Sequence, residues 1–108
     1  MDRLDRRTCI PCRGGVPPLD SAGIRPLSVQ VPDWEVVRDH HLLRRFMTRD
    51  FASALDLVNR IGALAEEQDH HPDIHLAWGA VGVEIRTHKV DGLTESDFIL
   101  AAKIDQLA

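Results

Sequence analysis

The chain has 108 residues, 44% of them hydrophobic and 28% charged, with a formal net charge of -4 at pH 7 and a sequence pI near 5.8. That length fits one domain whose modest core would gain from burial at a subunit interface. The acidic balance argues against nucleic acid as principal partner, and no apolar run approaches the ~20 residues that span a bilayer.

In chain order, Met1 to Arg7 carries charges of both signs with no apolar stretch behind it, unlike a secretory signal, so a cytoplasmic location is expected. Both cysteines fall in Cys9-Ile10-Pro11-Cys12, a spacing shared by zinc sites and dithiol redox centres. The pair stands alone. A structural zinc site needs four ligands, and a thioredoxin-like dithiol opens a helix, whereas Arg13-Gly14-Gly15-Val16-Pro17-Pro18 follows here. Residues 1–19 are therefore expected to form a flexible arm with two unspecialised thiols, and residues 20–108 the folded domain.

Asp20 or Ser21 can cap a short helix carrying Ile24 and Leu27, in which Pro26 requires either a late start or a break. Trp34–Arg38 and His41–Thr48 have strand composition, and Asp39-His40 suits the turn between them. His40 and His41 then read as solvated turn residues. Leu42-Leu43 and Arg44-Arg45 spoil strict alternation and leave the buried face unassigned.

Asp50 caps a longer helix in which Phe51, Leu55, Val58, Gly62 and Ala65 recur at helical spacing, widened by Ala54, Leu57, Ile61 and Leu64. It closes on Glu66-Glu67-Gln68-Asp69, and Pro72 forbids its continuation while biasing His71 towards extended backbone. His70 and His71 are thus held at a helix-to-strand corner. Imidazole is the side chain that titrates near neutrality, so this corner is the natural place for proton transfer. Glu66 lies one helical turn before His70, positioned to orient or polarise an imidazole.

Asp73–Trp78 and Val81–His88 both alternate and are joined tightly by Gly79-Ala80. Val81, Val83 and Ile85 share one face, while Glu84, Arg86 and His88 share the other, which puts His88 at the rim of the sheet and leaves His75 as a surface or packing residue. Asp91-Gly92 makes a turn, and Thr94-Glu95-Ser96-Asp97 has a capping-box pattern that by itself explains Asp97. A final helix carries Leu100, Ile104 and Leu107, with Phe98, Ala101 and Ala102 adding apolar area.

The order α-β-β-α-β-β-α describes an α+β fold with an antiparallel four-stranded sheet and helices packed on one face, a ferredoxin-like split arrangement being the other architecture compatible with it. The uncovered face or an unpaired edge strand invites a second subunit.

Glu66, His70-His71-Pro72, Trp78, His88 and Asp97 at this spacing resemble the signature of the pterin-4a-carbinolamine dehydratases. The likeness extends to Trp34 before the hairpin, Arg49-Asp50-Phe51 opening the long helix, and Gly92-Leu93-Thr94 entering the last one, and covers roughly residues 20–108. It implies a lyase that removes water from 4a-hydroxytetrahydropterin to give quinonoid dihydropterin, using histidines and neither metal nor cofactor. By that resemblance His70 and His88 are acid and base candidates, and His71 binds the pterin and shares proton transfer. Glu66 anchors the histidine pair, Trp34 forms part of the pocket wall, and Pro72, Trp78 and Asp97 support the site. Trp78 stands where tyrosine is common in the family, which keeps packing and loses a hydroxyl. The resemblance also implies a homodimer or homotetramer and a functional link to an aromatic amino acid hydroxylase. Two other readings are a non-catalytic dimerisation module of the same fold, since the family includes partners of transcription factors, and a zinc protein using Cys9, Cys12 and the histidines.

Overall fold

A computed structural model of the chain describes residues 3–9 and 17–108, so Cys12 and the glycines of the expected arm lie outside the described residues. The regular elements are α1 (Ser21–Ser28), β1 (Glu35–Val37), β2 (His41–Met47), α2 (Phe51–Gln68), β3 (Asp73–Ala77), β4 (Ala80–Ile85) and α3 (Glu95–Asp105). Two short 3-10 turns are Leu4–Arg6, ahead of α1, and His88–Val90, between β4 and α3. The strands form one antiparallel sheet in the order β1-β2-β4-β3. This is the expected α+β architecture. One face, carrying Leu42, Phe46, Val81, Val83 and Ile85, packs against Ile24 and Leu27 of α1, Ala54, Leu57 and Ile61 of α2, and the apolar residues of α3 in a single core.

The doublets in β2 resolve through an inward arginine. Leu42, Arg44 and Phe46 share the core face, and the Arg44 guanidinium lies 4.3 Å from the Phe46 ring centroid while donating to Asp105 Oδ1 at 2.6 Å. Burial pushes the Asp105 carboxyl up, and the bonds from Trp34 and Arg44 pull it back. Leu43 and Met47 are left on the open face, 39% and 75% exposed.

Several local expectations need correcting. α1 runs straight through Pro26, capped by Asp20, whose side chain accepts from Gly23 N; the missing donor costs one bond in a short helix held down by buried Ile24 and Leu27. The β1–β2 turn falls on Arg38 and Asp39, both in left-handed backbone, with φ of 51° and 54°, rather than on Asp39-His40. In α2 the core stripe is Ala54, Leu57, Ile61 and Ala65, while Phe51 and Leu55 stay exposed. β4 ends at Ile85 rather than running to His88.

The arm expectation also fails for residues 3–9. Leu4 is fully buried against α3, which by transfer energies stabilises by about 2 kcal/mol. Polar bonds add to this: Leu4 N donates to Gln30 Oε1, Lys103 Nζ to the Asp5 carbonyl, and Cys9 N to Gln68 Oε1. The Cys9 thiol donates to the Ser96 carbonyl, and burial pushes it up to about 11, with nearby Lys103 opposing the shift. Low-complexity punctuation at residues 14–18 hid an apolar anchor upstream of it.

Candidate active site

The site begins where α2 stops. Asp69 takes the left-handed conformation, φ 50° and ψ 41°, and the His70 amide donates back to the Ala65 carbonyl at 3.1 Å. That reversal closes the helix and sends the two histidines in different directions. His70 is 11% exposed, with Nε2 2.6 Å from Asp97 Oδ1, and His71 is 54% exposed, with Nε2 hydrogen-bonded to the Glu66 carboxylate.

Asp97 is fully buried in the first turn of α3. Its Oδ2 accepts from Thr94 N and from Thr87 Oγ1, each at 2.8 Å, so it holds three donors including His70. A carboxylate accepts and does not donate, so it fixes the His70 proton on Nε2 and leaves Nδ1 as the nitrogen able to give or take a proton. Glu66 does the same for His71, from the exposed side. It therefore partners His71, five residues on, and not His70, because the left-handed residue breaks the helical spacing.

His88 opens the 3-10 turn rather than ending a strand. The turn is closed by a bridge between Thr87 and Gly92, with Thr87 N donating to Gly92 O at 2.8 Å. His70, His71 and His88 come together around one concavity of about 260 Å³, together with Asp69, Arg86, Thr87 and Lys89. Among the described residues no group of three or more His, Cys, Asp or Glu is arranged to hold a metal ion.

A model of the pterin 4 alpha carbinolamine dehydratase family matches residues 17–107. The chain belongs to that family. It is 56% identical over 107 residues to a Rubrobacter xylanophilus protein named "Putative pterin-4-alpha-carbinolamine dehydratase", covering 99% of this chain and all of that one. A protein of the same name from Halorhodospira halophila is 50% identical over 96% of each chain. Among solved structures, the transcriptional coactivator/pterin dehydratase of Brucella melitensis superposes with a TM-score of 0.78 at 28% identity, covering 84% of this chain and 98% of that one. A pterin dehydratase-like RuBisCO assembly factor of the alpha-carboxysome shares the fold at a TM-score of 0.58 and 24% identity, over 69% of this chain and 86% of the other.

Three residues that the dehydratase resemblance attached to the site neither line the concavity nor hydrogen-bond to its histidines. Trp34 is 5% exposed, meets Phe46 edge to face, and donates from Nε1 to Asp105 at 2.7 Å. It anchors the far end of α3, about 12 Å along the helix from Asp97. Trp78 is 73% exposed in the β3–β4 turn, and Pro72 stands between His71 and the start of β3 without lining the concavity. Conversely, Arg86, Thr87 and Lys89 had no signal beyond adjacency to His88, although Thr87 extends the inward alternation of Val81, Val83 and Ile85.

Proposed function

We infer that this dehydratase-family chain removes water from 4a-hydroxytetrahydropterin, giving quinonoid dihydropterin, by histidine acid–base catalysis. The observation that carries this is the convergence of His70, His71 and His88 on one concavity, with His70 fixed by the buried Asp97 carboxylate. The C4a–O bond breaks as a proton reaches the leaving oxygen, and a ring N–H gives up a proton as the C=N bond forms; one proton enters and one leaves. Imidazoles lining one concavity supply groups for both transfers. His70 and His88 are the acid–base pair, His71 binds the ring and assists, Asp97 orients His70, and Glu66 orients His71.

A homo-oligomer accompanies this reading. Phe51 and Leu55 are 46% and 41% exposed along one side of α2, and a Cβ added at Gly62 further along that side would meet nothing within 4 Å. Such an apolar, unobstructed stripe suits a second copy of the chain. No helix of the described residues is long and apolar enough to cross a membrane. The substrate's chemistry points to an aromatic amino acid hydroxylase as its source.

The test is the loss of water from freshly generated 4a-hydroxytetrahydropterin, followed by absorbance with metal-free protein. Acceleration over the spontaneous rate supports the reading. No acceleration by folded protein removes it and brings the binding-module reading forward.

A further inference from the structure

The two histidines at the β1–β2 turn are joined to each other and not merely solvated. His40 Nδ1 lies 3.0 Å from His41 Nδ1, and the rings meet edge to face with centroids 5.3 Å apart. Two imidazole nitrogens at that distance form a hydrogen bond only when one carries a proton and the other does not. His40 Nε2 lies 2.9 Å from Asp91 Oδ1, and since a carboxylate accepts, Nε2 is where His40 holds its proton. In the neutral ring Nδ1 is then the acceptor, and His41 donates to it.

The chain of donors therefore runs from His41 through His40 to Asp91. Asp91 also accepts from Arg86 Nη1 at 3.2 Å, and in left-handed backbone it terminates the 3-10 turn that begins at His88. The hairpin thus grips the segment that supplies Arg86, His88 and Lys89 to the concavity. His41 is buried, with Nε2 3.6 Å from the Glu84 carboxylate. The charged groups facing the pair are Glu84 from β4 and Asp91 from the segment after it, the latter also bonded by Arg86; Arg38 and Asp39 are the pair's neighbours in the turn, and Asp39 is engaged with the Ser21 hydroxyl of α1.

We propose that His40 is a positioning residue for His88: through Asp91 it fixes the His88–Val90 turn against the hairpin, and when His40 and His41 are both protonated its own tie to the buried His41 is lost, so that the turn is held by His40 alone. One added proton leaves the chain intact, as an imidazolium at His41 between Glu84 and His40. A second sets two N–H groups against each other at Nδ1 and breaks it. This inference rests on the reading of His88 as a proton-transfer group.

The experiment follows the imidazole and backbone resonances of full-length wild type, His40→Ala, His40→Gln and the exposed-site control His75→Gln from about pH 8 to about pH 5. The same proteins are assayed for kcat/KM in dehydration. In wild type and the control, the His88 ring and the Arg86–Asp91 amides should shift together with the His40 ring as the pH falls. In His40→Ala that step should vanish and kcat fall about tenfold with KM little changed. His40→Gln, which can still donate to Asp91 but does not titrate, should restore kcat at neutral pH and flatten its acid fall. His88 and loop resonances indifferent to both substitutions, or a Gln variant no better than Ala, would overturn the proposal. A wild type without turnover would defeat the dehydratase reading alone, because the resonance shifts still decide whether the latch exists.

Discussion

Replacing Asp97 by asparagine keeps the side chain's shape and removes the charge that three donors share. Asp97 is fully buried and accepts from His70 Nε2, Thr87 Oγ1 and Thr94 N. An amide offers one acceptor oxygen in place of two, so at least one donor faces an NH₂ group. Hydrogen bonds to a charged group are worth about 1.5–3 kcal/mol each, and a buried donor left unpaired forfeits a similar amount, so a loss of about 2–3 kcal/mol is expected. That is a large share of the roughly 5–15 kcal/mol that holds a domain of this size together. If the amide nitrogen faces His70, the imidazole must turn Nε2 into its acceptor and carry its proton on Nδ1, which removes the base from the concavity. Dehydration should then slow by about 10²-fold, the lower end of what general acid–base groups contribute. Urea unfolding followed by circular dichroism gives the first number and kcat/KM the second. A stability change within about 0.5 kcal/mol together with an unaltered rate would refute the assigned role of the carboxylate.

Three further outcomes follow from particular contacts. The Cys9 thiol is pushed up to about 11 by burial, so the unfolded chain loses its proton first and stability declines as pH rises from about 9 to about 11; the decline should be absent in Cys9→Ala, measured by denaturation across that range. Gly92→Ala would place a Cβ 2.6 Å from Pro18 Cβ, so it should cost about 1–3 kcal/mol in urea unfolding, and a variant as stable as wild type would contradict the packing described. Asp69→Gly relieves a left-handed backbone at φ 50° and should raise the thermal midpoint, corresponding to about 0.5–1 kcal/mol.

Much of this architecture is legible in local pattern because local forces set it. Asp20, Asp50 and Thr94 start their helices as their side chains dictate, and α2 stops within its last acidic run, at the left-handed Asp69 ahead of Pro72. What pattern cannot supply is which of two apolar stripes on α2 meets the sheet: Phe51-Leu55 and Ala54-Leu57-Ile61 both have helical period, and it is the second that is buried where α2 packs on β4 and β3. Arg44 inverts the usual reading of a charged residue as outward, because Asp105 from the end of α3 neutralises it. The histidine corner was readable from Glu66 to Pro72, yet its pairing was not. The left-handed turn at Asp69 rotates His70 away from Glu66 and towards Asp97, a partner 27 residues on. Asp97 bonds Thr94 N as its place in the capping box requires, and burial beside His70 gives it a second task that sequence spacing alone does not reveal.

The most direct test of the account compares kcat/KM for dehydration of 4a-hydroxytetrahydropterin in wild type, His70→Ala, His71→Ala and His88→Ala, each verified as folded. His70 and His88 should each matter by about 10²-fold or more, and His71 by clearly less, mainly through KM. Equal, small losses in all three variants would contradict the assignment of proton transfer to this concavity.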